Sequence, residues 1–193
     1  MSPSVLPDGE AAPEDGALPA SAAAELHRRA LGAYVHVPFC ATRCGYCDFN
    51  TYTAAELGAE PGDARTSYLR ALATEIDVAA RTLTGAPPLS TVFFGGGTPT
   101  TLAVDDFASV LGRLRARLGM ADDAEVTTEA NPDSVTEQSL VGLREAGVNR
   151  ISFGMQSSAP HVLATLERTH TPGRALQAVR WARAAGFDSV SLD

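Results

Sequence analysis

The residues best suited to chemistry lie in one short run, Cys40-Ala-Thr-Arg-Cys44-Gly-Tyr-Cys47, entered through Tyr34-Val-His-Val-Pro-Phe. All three cysteines of the chain fall in this run, so no thiol remains elsewhere to build a disulfide scaffold. With C-x3-C-x2-C spacing, Cys40, Cys44 and Cys47 can each take one iron of a cubane [4Fe-4S] cluster. The fourth iron is then left open, as a catalytic metal site requires. Two plainer readings stand beside this one. A structural zinc site normally draws on two separated ligand pairs, and no second pair exists here; the three thiolates plus His36 would need a residue in strand register to turn onto the loop. Inert buried cysteines are common, but packing alone gives no reason for all three to fall so close together.

Composition narrows the function classes. Against 23 acidic residues the chain has 15 basic ones, a net charge of −8, which runs against a nucleic-acid-binding face. All 15 are arginine. Without lysine there is neither a Walker-type phosphate lysine nor a Schiff-base lysine. Hydrophobic content of 45% over 193 residues suits a globular core, either one domain or part of a larger one. No apolar run approaches the roughly 20 residues that span a bilayer, so at most peripheral membrane contact is expected. The N-terminus has no basic region leading into an apolar core, so it does not read as a secretory signal. Clustered, unpaired thiols suit a reducing compartment, and the expected location is the cytoplasm.

The elements that must position these residues follow a rhythm. Residues 1–30 read as an N-terminal extension: 1–20 are rich in Pro, Ala, Gly and acids and are expected to be disordered, and Ser21 to Arg29 is weakly helical. Ala33 to Val37 is a first buried strand, stopped by Pro38. Asn50 to Asp63 reads as a long connection or flap. Leu69, Leu72, Ile76 and Leu83 mark an amphipathic helix, and Thr91 to Phe94 a short strand running into Gly95-Gly-Gly-Thr-Pro99. Phe107, Val110, Leu111, Leu114 and Leu118 form the next helical stripe, closed by Gly119. Glu125 to Ala130 is a third strand, and Thr136 caps a helix that Gly147 ends. Asn149 to Gly154 is a fourth strand, followed by a short helix through Val162 and Leu166. A further helix is expected to have Thr171 as its cap, Pro172 at its first position and Gly186 at its end. Ser189 to Asp193 begins a fifth strand.

Such β-α alternation predicts an α/β fold: a parallel sheet with helices outside it. A sheet that curls this way normally closes, so a chain stopping in the fifth strand reads as the N-terminal part of a longer protein, with an open edge and a wetted inner apolar face. In such folds ligands lie at the C-terminal ends of the strands, and the polar oddities of this chain fall there. The Gly95–Gly97 run allows close backbone approach, or is simply a tight turn; it matches neither phosphate-loop pattern. Glu129 can accept from two ribose hydroxyls, or be a solvated rim residue. Ser152, Gly154 and Gln156 share one strand face, opposite Ile151 and Phe153. Arg168 is placed to clamp a carboxylate, its alternative being an exposed surface arginine, and Asp193 ends the fifth strand.

Lined up, these residues resemble the radical-SAM family that contains oxygen-independent coproporphyrinogen III oxidases and HemW-type haem chaperones. The match runs from about residue 33 to 193 in five blocks: Tyr34-Val-His-Val-Pro-Phe-Cys40, the cysteine loop, Phe94-Gly-Gly-Gly-Thr-Pro-Thr100, Glu129-Ala-Asn-Pro132, and Ser152-Phe-Gly-Met-Gln-Ser157 with Arg168-Thr-His170. The resemblance implies that residues 31–193 are the N-terminal part of a radical-SAM core, a partial (β/α)6-type barrel of four to five βα units. It implies a [4Fe-4S] cluster on Cys40, Cys44 and Cys47, with S-adenosylmethionine (SAM) chelating the open iron. Tyr34 and Tyr46 would flank the cluster. Gly96, Gly97 and Thr98 would contact SAM, Glu129 its ribose, and Gln156, Arg168 and Asp193 its other polar groups; in members that bind a second SAM, Tyr46, Gln156 and Arg168 serve that molecule.

One departure separates two branches. The oxidases carry a further cysteine two positions beyond the third ligand, where this chain has Phe49. The sequence therefore looks like the haem-chaperone branch. That implies haem or porphyrin as ligand, haem-acceptor proteins as partners, and a homodimer. The alternative is an oxidase in which a 5′-deoxyadenosyl radical abstracts hydrogen from coproporphyrinogen III. The branch's haem-binding motif lies C-terminal to this region, and His27, His36, His161 and His170 are poor substitutes: His36 and His170 read as structural groups, His161 as exposed.

Overall fold

The computed structural model describes residues 14, 16–58, 61–168 and 170–193. The disorder expected over residues 1–20 falls mainly on 1–13 and 15, which lie outside the described residues. Helix α1 (Ala20–Glu25) buries nothing, has no side-chain cap and ends short of the expected Arg29.

Five strands form one parallel sheet: β1 (Leu31–Val37), β4 (Leu89–Gly96), β5 (Met120–Ala130), β6 (Arg150–Phe153) and β7 (Ser189–Leu192), paired in that order. A small parallel pair, β2 (Phe39–Cys40) and β3 (Tyr52–Thr53), stands beside the end of β1. The helices are α2 (Ala54–Leu57), α3 (Pro61–Thr82), α4 (Val104–Leu118), α5 (Glu137–Glu145), α6 (Pro160–Thr165) and α7 (Arg174–Ala184). β1 and β7 are its two edge strands, so the sheet is open.

Alternation within each strand assigns its two faces. Val35, Val37, Val92, Phe94, Ile151 and Phe153 are buried and join the helix-side core with Phe107, Leu111 and Leu114 of α4, Leu140 and Leu143 of α5, and Ala178 and Ala182 of α7. Phe94 and Phe107 meet with ring centroids 4.7 Å apart. The opposite face differs from the expected apolar interior. Register places His36 opposite Gly95, Glu129 opposite Ser152, and Ser152 opposite Ser191, giving a polar row at the C-terminal end of the sheet. Asn149 holds β6 against β5: its Oδ1 accepts from the Val126 amide and its Nδ2 donates to the Ala124 carbonyl.

Three local expectations are corrected. The 50–63 connection contains β3 and α2, and α3 starts at Pro61. Glu56 accounts for this, since its carboxylate accepts from both the amide and the hydroxyl of Thr53 and so caps the turn. Thr171 does not cap α7. Its amide and hydroxyl both donate to the Asp133 carboxylate, and Gly173, at φ +79, precedes the helix instead. Finally, β6 stops at Phe153, and Gln156 reaches the site through a turn with φ +66 rather than by strand alternation.

Candidate functional site

The cysteine loop is tied down from three sides. The Tyr52 amide donates to the Pro38 carbonyl at 2.7 Å, closing the loop's base. Arg43 donates to the Thr51 carbonyl and to Glu56 Oε1 at 2.9 Å, stapling the loop to α2. The Gly45 amide donates to the Leu166 carbonyl at 3.2 Å, at the end of α6. Within the loop the Cys47 amide closes a turn onto the Cys44 carbonyl. His36, in β1, faces the loop: its Nε2 pairs with the Asn50 carbonyl at 2.9 Å, which leaves Nδ1 to accept from the Tyr34 hydroxyl at 3.1 Å. His36 is thereby structural, as expected.

The glycine run at the end of β4 explains its own composition. The Gly97 and Thr98 amides donate to the carbonyls of Val37 and Phe39 at 2.8 and 2.7 Å, lacing this turn to the start of the cysteine loop. A Cβ on Gly97 would lie 2.6 Å from the Phe39 oxygen and 2.9 Å from Cys40 Sγ, and one on Gly96 would strike the His36 ring. The glycines therefore let two backbone segments touch, and these two amides are already engaged.

A cavity of about 190 Å3 opens over this turn. It is bordered by all three cysteines, by Tyr46, Gly96, Gly97 and Thr98, and by Glu129, Gln156, Arg168 and Asp193. The structure thus brings together every predicted site residue around the cavity except Tyr34, which shares the face of β1 with His36, lies near Glu129 across Gly95, and is 59% exposed and stacked on Phe93. Phe49, Thr42, Asn131 and Gly154 also border the cavity. Of these Gly154 has the clearest reason: a Cβ there would lie 2.9 Å from Arg168 Nη2. A larger cavity of about 790 Å3 lies beyond Arg168, lined mainly by apolar side chains such as Met155, Leu163, Leu176 and Leu192. It contains no thiol, so the chemistry belongs to the smaller one.

Electrostatics divide the smaller cavity. Burial pushes the Cys40 thiol up, partly offset by hydrogen bonds from Thr98 and Thr51. Burial also raises the Glu129 carboxyl, and the nearby Asp193 charge raises it further, while the Gly96 amide opposes both. Glu129 is therefore half-buried in the cavity wall, not a solvated rim residue. The Asp193 carboxylate accepts from Ser152 at 3.0 Å. Arg168 donates through Nη2 to the Gly154 carbonyl and through Nη1 to Cys44 Sγ at 3.4 Å, and its Nε is buried with no partner among the described residues.

These residues fit the groups the resemblance implies. All three thiols are free and share one wall, and the buried, unpartnered Arg168 Nε offers a donor to an anionic group. Gly96 and Gly97 border the same cavity without adding side chains, Gly97 directly beside Cys40. Among the described residues no three histidine, cysteine or carboxylate side chains gather around a point suited to one metal ion. A cubane asks for something else, because each thiolate takes its own iron.

Comparison with known proteins agrees with this site. Residues 34–192 match the model of the radical SAM superfamily. The haem chaperone HemW of Mycobacterium tuberculosis (strain H37Rv) is 52% identical over 163 residues, 84% of this chain and 41% of the relative. HemW of Escherichia coli K12 is 40% identical over 163 residues, again 84% of this chain and 42% of the relative. The solved structure of E. coli coproporphyrinogen III oxidase, described as a radical SAM enzyme, superposes with a TM-score of 0.77 at 31% identity, covering 90% of this chain and 38% of that one. The chain spans about two fifths of the length of the curated relatives it matches. With the cysteine loop, the parallel sheet and the family model all in agreement over the same residues, the chain belongs to the radical SAM superfamily.

Proposed function

We propose that Cys40, Cys44 and Cys47 hold a [4Fe-4S] cluster, that SAM binds in the adjoining cavity, and that the protein acts as a haem chaperone, loading haem and passing it to acceptor proteins. Superfamily membership implies both the cluster and SAM. The observation that carries the reading is the single cavity bordered by three free thiols and by Glu129, Gln156, Arg168 and Asp193. When bound, a cluster with one open iron supplies an electron to a sulfonium.

The chain's own residues then have distinct tasks. The Glu129 carboxylate accepts from the ribose hydroxyls. Arg168 offers Nε to the SAM carboxylate, while its two terminal nitrogens stay anchored to Gly154 and Cys44. Ser152 holds Asp193 toward the remaining polar groups of SAM, beside Gln156, whose amide donates to the Asp193 carbonyl at 2.7 Å. Gly96, Gly97 and Thr98 shape the floor, and Tyr34 and Tyr46 flank the site.

Haem delivery rests on the similarity to two HemW chaperones and on Phe49, which stands where the oxidase branch has a cysteine. A homodimer and a cytoplasmic location belong to the same reading; no helix among the described residues is long and apolar enough to cross a membrane. The second reading, oxidation of coproporphyrinogen III, is favoured by the structural likeness to the E. coli oxidase and opposed by Phe49.

The test is anaerobic reconstitution of the complete protein followed by two assays: haem titration read by the Soret band, and incubation with reductant, SAM and coproporphyrinogen. A stable Soret band without protoporphyrinogen is expected. Protoporphyrinogen formation would move the protein to the oxidases, and material lacking iron and sulfide would remove both readings.

A further inference from the structure

We propose that Arg168 is a positioning residue for the cluster: through its hydrogen bond to Cys44 it raises the cluster's reduction potential, independently of any contact with SAM. The inference rests on the assignment of Cys40, Cys44 and Cys47 as cluster ligands.

The geometry is specific to one of the three sulfurs. Arg168 Nη1 lies 3.4 Å from Cys44 Sγ, whereas the donors to Cys40 are neutral hydroxyls, Thr98 at 4.0 Å and Thr51. Among the described residues no other cation donates to a cysteine sulfur. The guanidinium does not reach Cys44 as a loose surface side chain would, because its Nη2 is fixed to the Gly154 carbonyl at the end of β6. The backbone that presents it is also held. Glu167, just before it, sits at φ +50, an uncommon conformation for a residue with a side chain. The turn carrying Glu167 is docked on the cysteine loop itself, through the Gly45 amide and the Leu166 carbonyl at 3.2 Å. A Cβ on Gly45 would lie 2.9 Å from the Glu167 carboxylate, so glycine lets the two lie in contact without turning that side chain away. The Leu166–Arg168 turn and the Cys44–Gly45 step therefore form one unit.

The chemistry follows from charge. Reducing a cluster adds one electron, and a hydrogen bond or positive charge at a thiolate ligand favours the more negative, reduced form. Arg168 supplies both. The planar fork is what allows a single side chain to bridge Gly154 and Cys44, so lysine would keep the charge and lose the geometry.

The test is a redox titration of the anaerobically reconstituted protein without SAM, followed by electron paramagnetic resonance. Three variants are compared with the wild type: Arg168→Gln, Arg168→Lys and Gly154→Ala. The last leaves the arginine in place but puts a Cβ 2.9 Å from Nη2, at the flexible end of the side chain, and so pushes the guanidinium aside without a backbone clash. The expected result is a more negative midpoint in Arg168→Gln and Gly154→Ala, and an intermediate one in Arg168→Lys, at wild-type iron and sulfide content. A wild-type midpoint in Gly154→Ala and in any loaded Arg168→Gln would overturn the proposal. A wild type without iron or sulfide would instead refute the cluster assignment, and iron analysis made before the titration separates the two failures.

Discussion

The Ser152 hydroxyl donates to the Asp193 carboxylate at 3.0 Å across the β6–β7 pair, and itself accepts from the Ser191 hydroxyl at 2.9 Å. Ser152 is 7% exposed, so the donor is held in place and fixes where the more exposed carboxylate points at the cavity. Ser152→Ala removes the donor and leaves the charge in place. SAM affinity is expected to fall about tenfold, roughly 1.5 kcal/mol, the lower range for a hydrogen bond to a charged group. Equilibrium dialysis with labelled SAM measures this, and an unchanged affinity would release Asp193 from the site.

Glu129 is expected to trade stability for binding. Burial first, and then Asp193, raise its carboxyl above the ordinary value of 4.5. A carboxyl raised in the folded state stabilises the fold below its unfolded pKa, and that contribution is lost as pH rises through the folded pKa. Near neutral pH the ionised group therefore works against folding of the cofactor-free protein. Glu129→Gln should raise the thermal midpoint there, the gain vanishing below the ordinary carboxylate value, while SAM binding weakens. Melts at the two pH values check the sign; a gain independent of pH would exclude burial of the charge as its cause.

Two glycines bordering the same cavity should respond differently to alanine. At Gly97 the nearest obstacle is the Phe39 carbonyl oxygen, 2.6 Å from the added Cβ, so backbone must move. Gly97→Ala is expected to cost about 1–3 kcal/mol, as overpacking does, and to lower iron uptake by shifting Cys40. At Gly154 the obstacle is the end of Arg168, and little stability should be lost. Chemical denaturation of both variants tests the contrast, which fails if the two melt alike.

Removing one thiol should remove the cluster. Cys44→Ala leaves Cys40 and Cys47 as the only sulfur ligands, and two thiolates do not hold a cubane that needs three. Iron and sulfide assays after anaerobic reconstitution are expected to approach background. Wild-type stoichiometry in this variant would show that the loop is not the cluster site.

Local chemistry made much of this molecule readable in advance. The cysteine spacing, the strand–helix rhythm, the Thr136 cap and the stops at Gly119 and Gly147 depend on residues a few positions apart, and side-chain periodicity reports such relations directly. Thr136 does cap α5, its oxygen accepting from the Ser139 amide at 3.1 Å. Thr171 had the same local credentials and failed, because its hydroxyl is turned to Asp133, 38 positions away, and the helix starts only after Gly173.

By itself the sequence determined which groups are available: three thiols in one loop, a glycine run, and a set of polar side chains near strand ends. The tertiary structure alone decided which of them share a cavity, that Glu129 is half-buried beside Asp193, that Tyr34 stacks on Phe93 near Glu129, and that Arg168 meets Cys44 across 124 positions. The reason is physical. Spacing along a chain dictates distances within a turn or a strand, whereas burial and charge–charge proximity exist only after parallel strands from distant segments have been laid side by side.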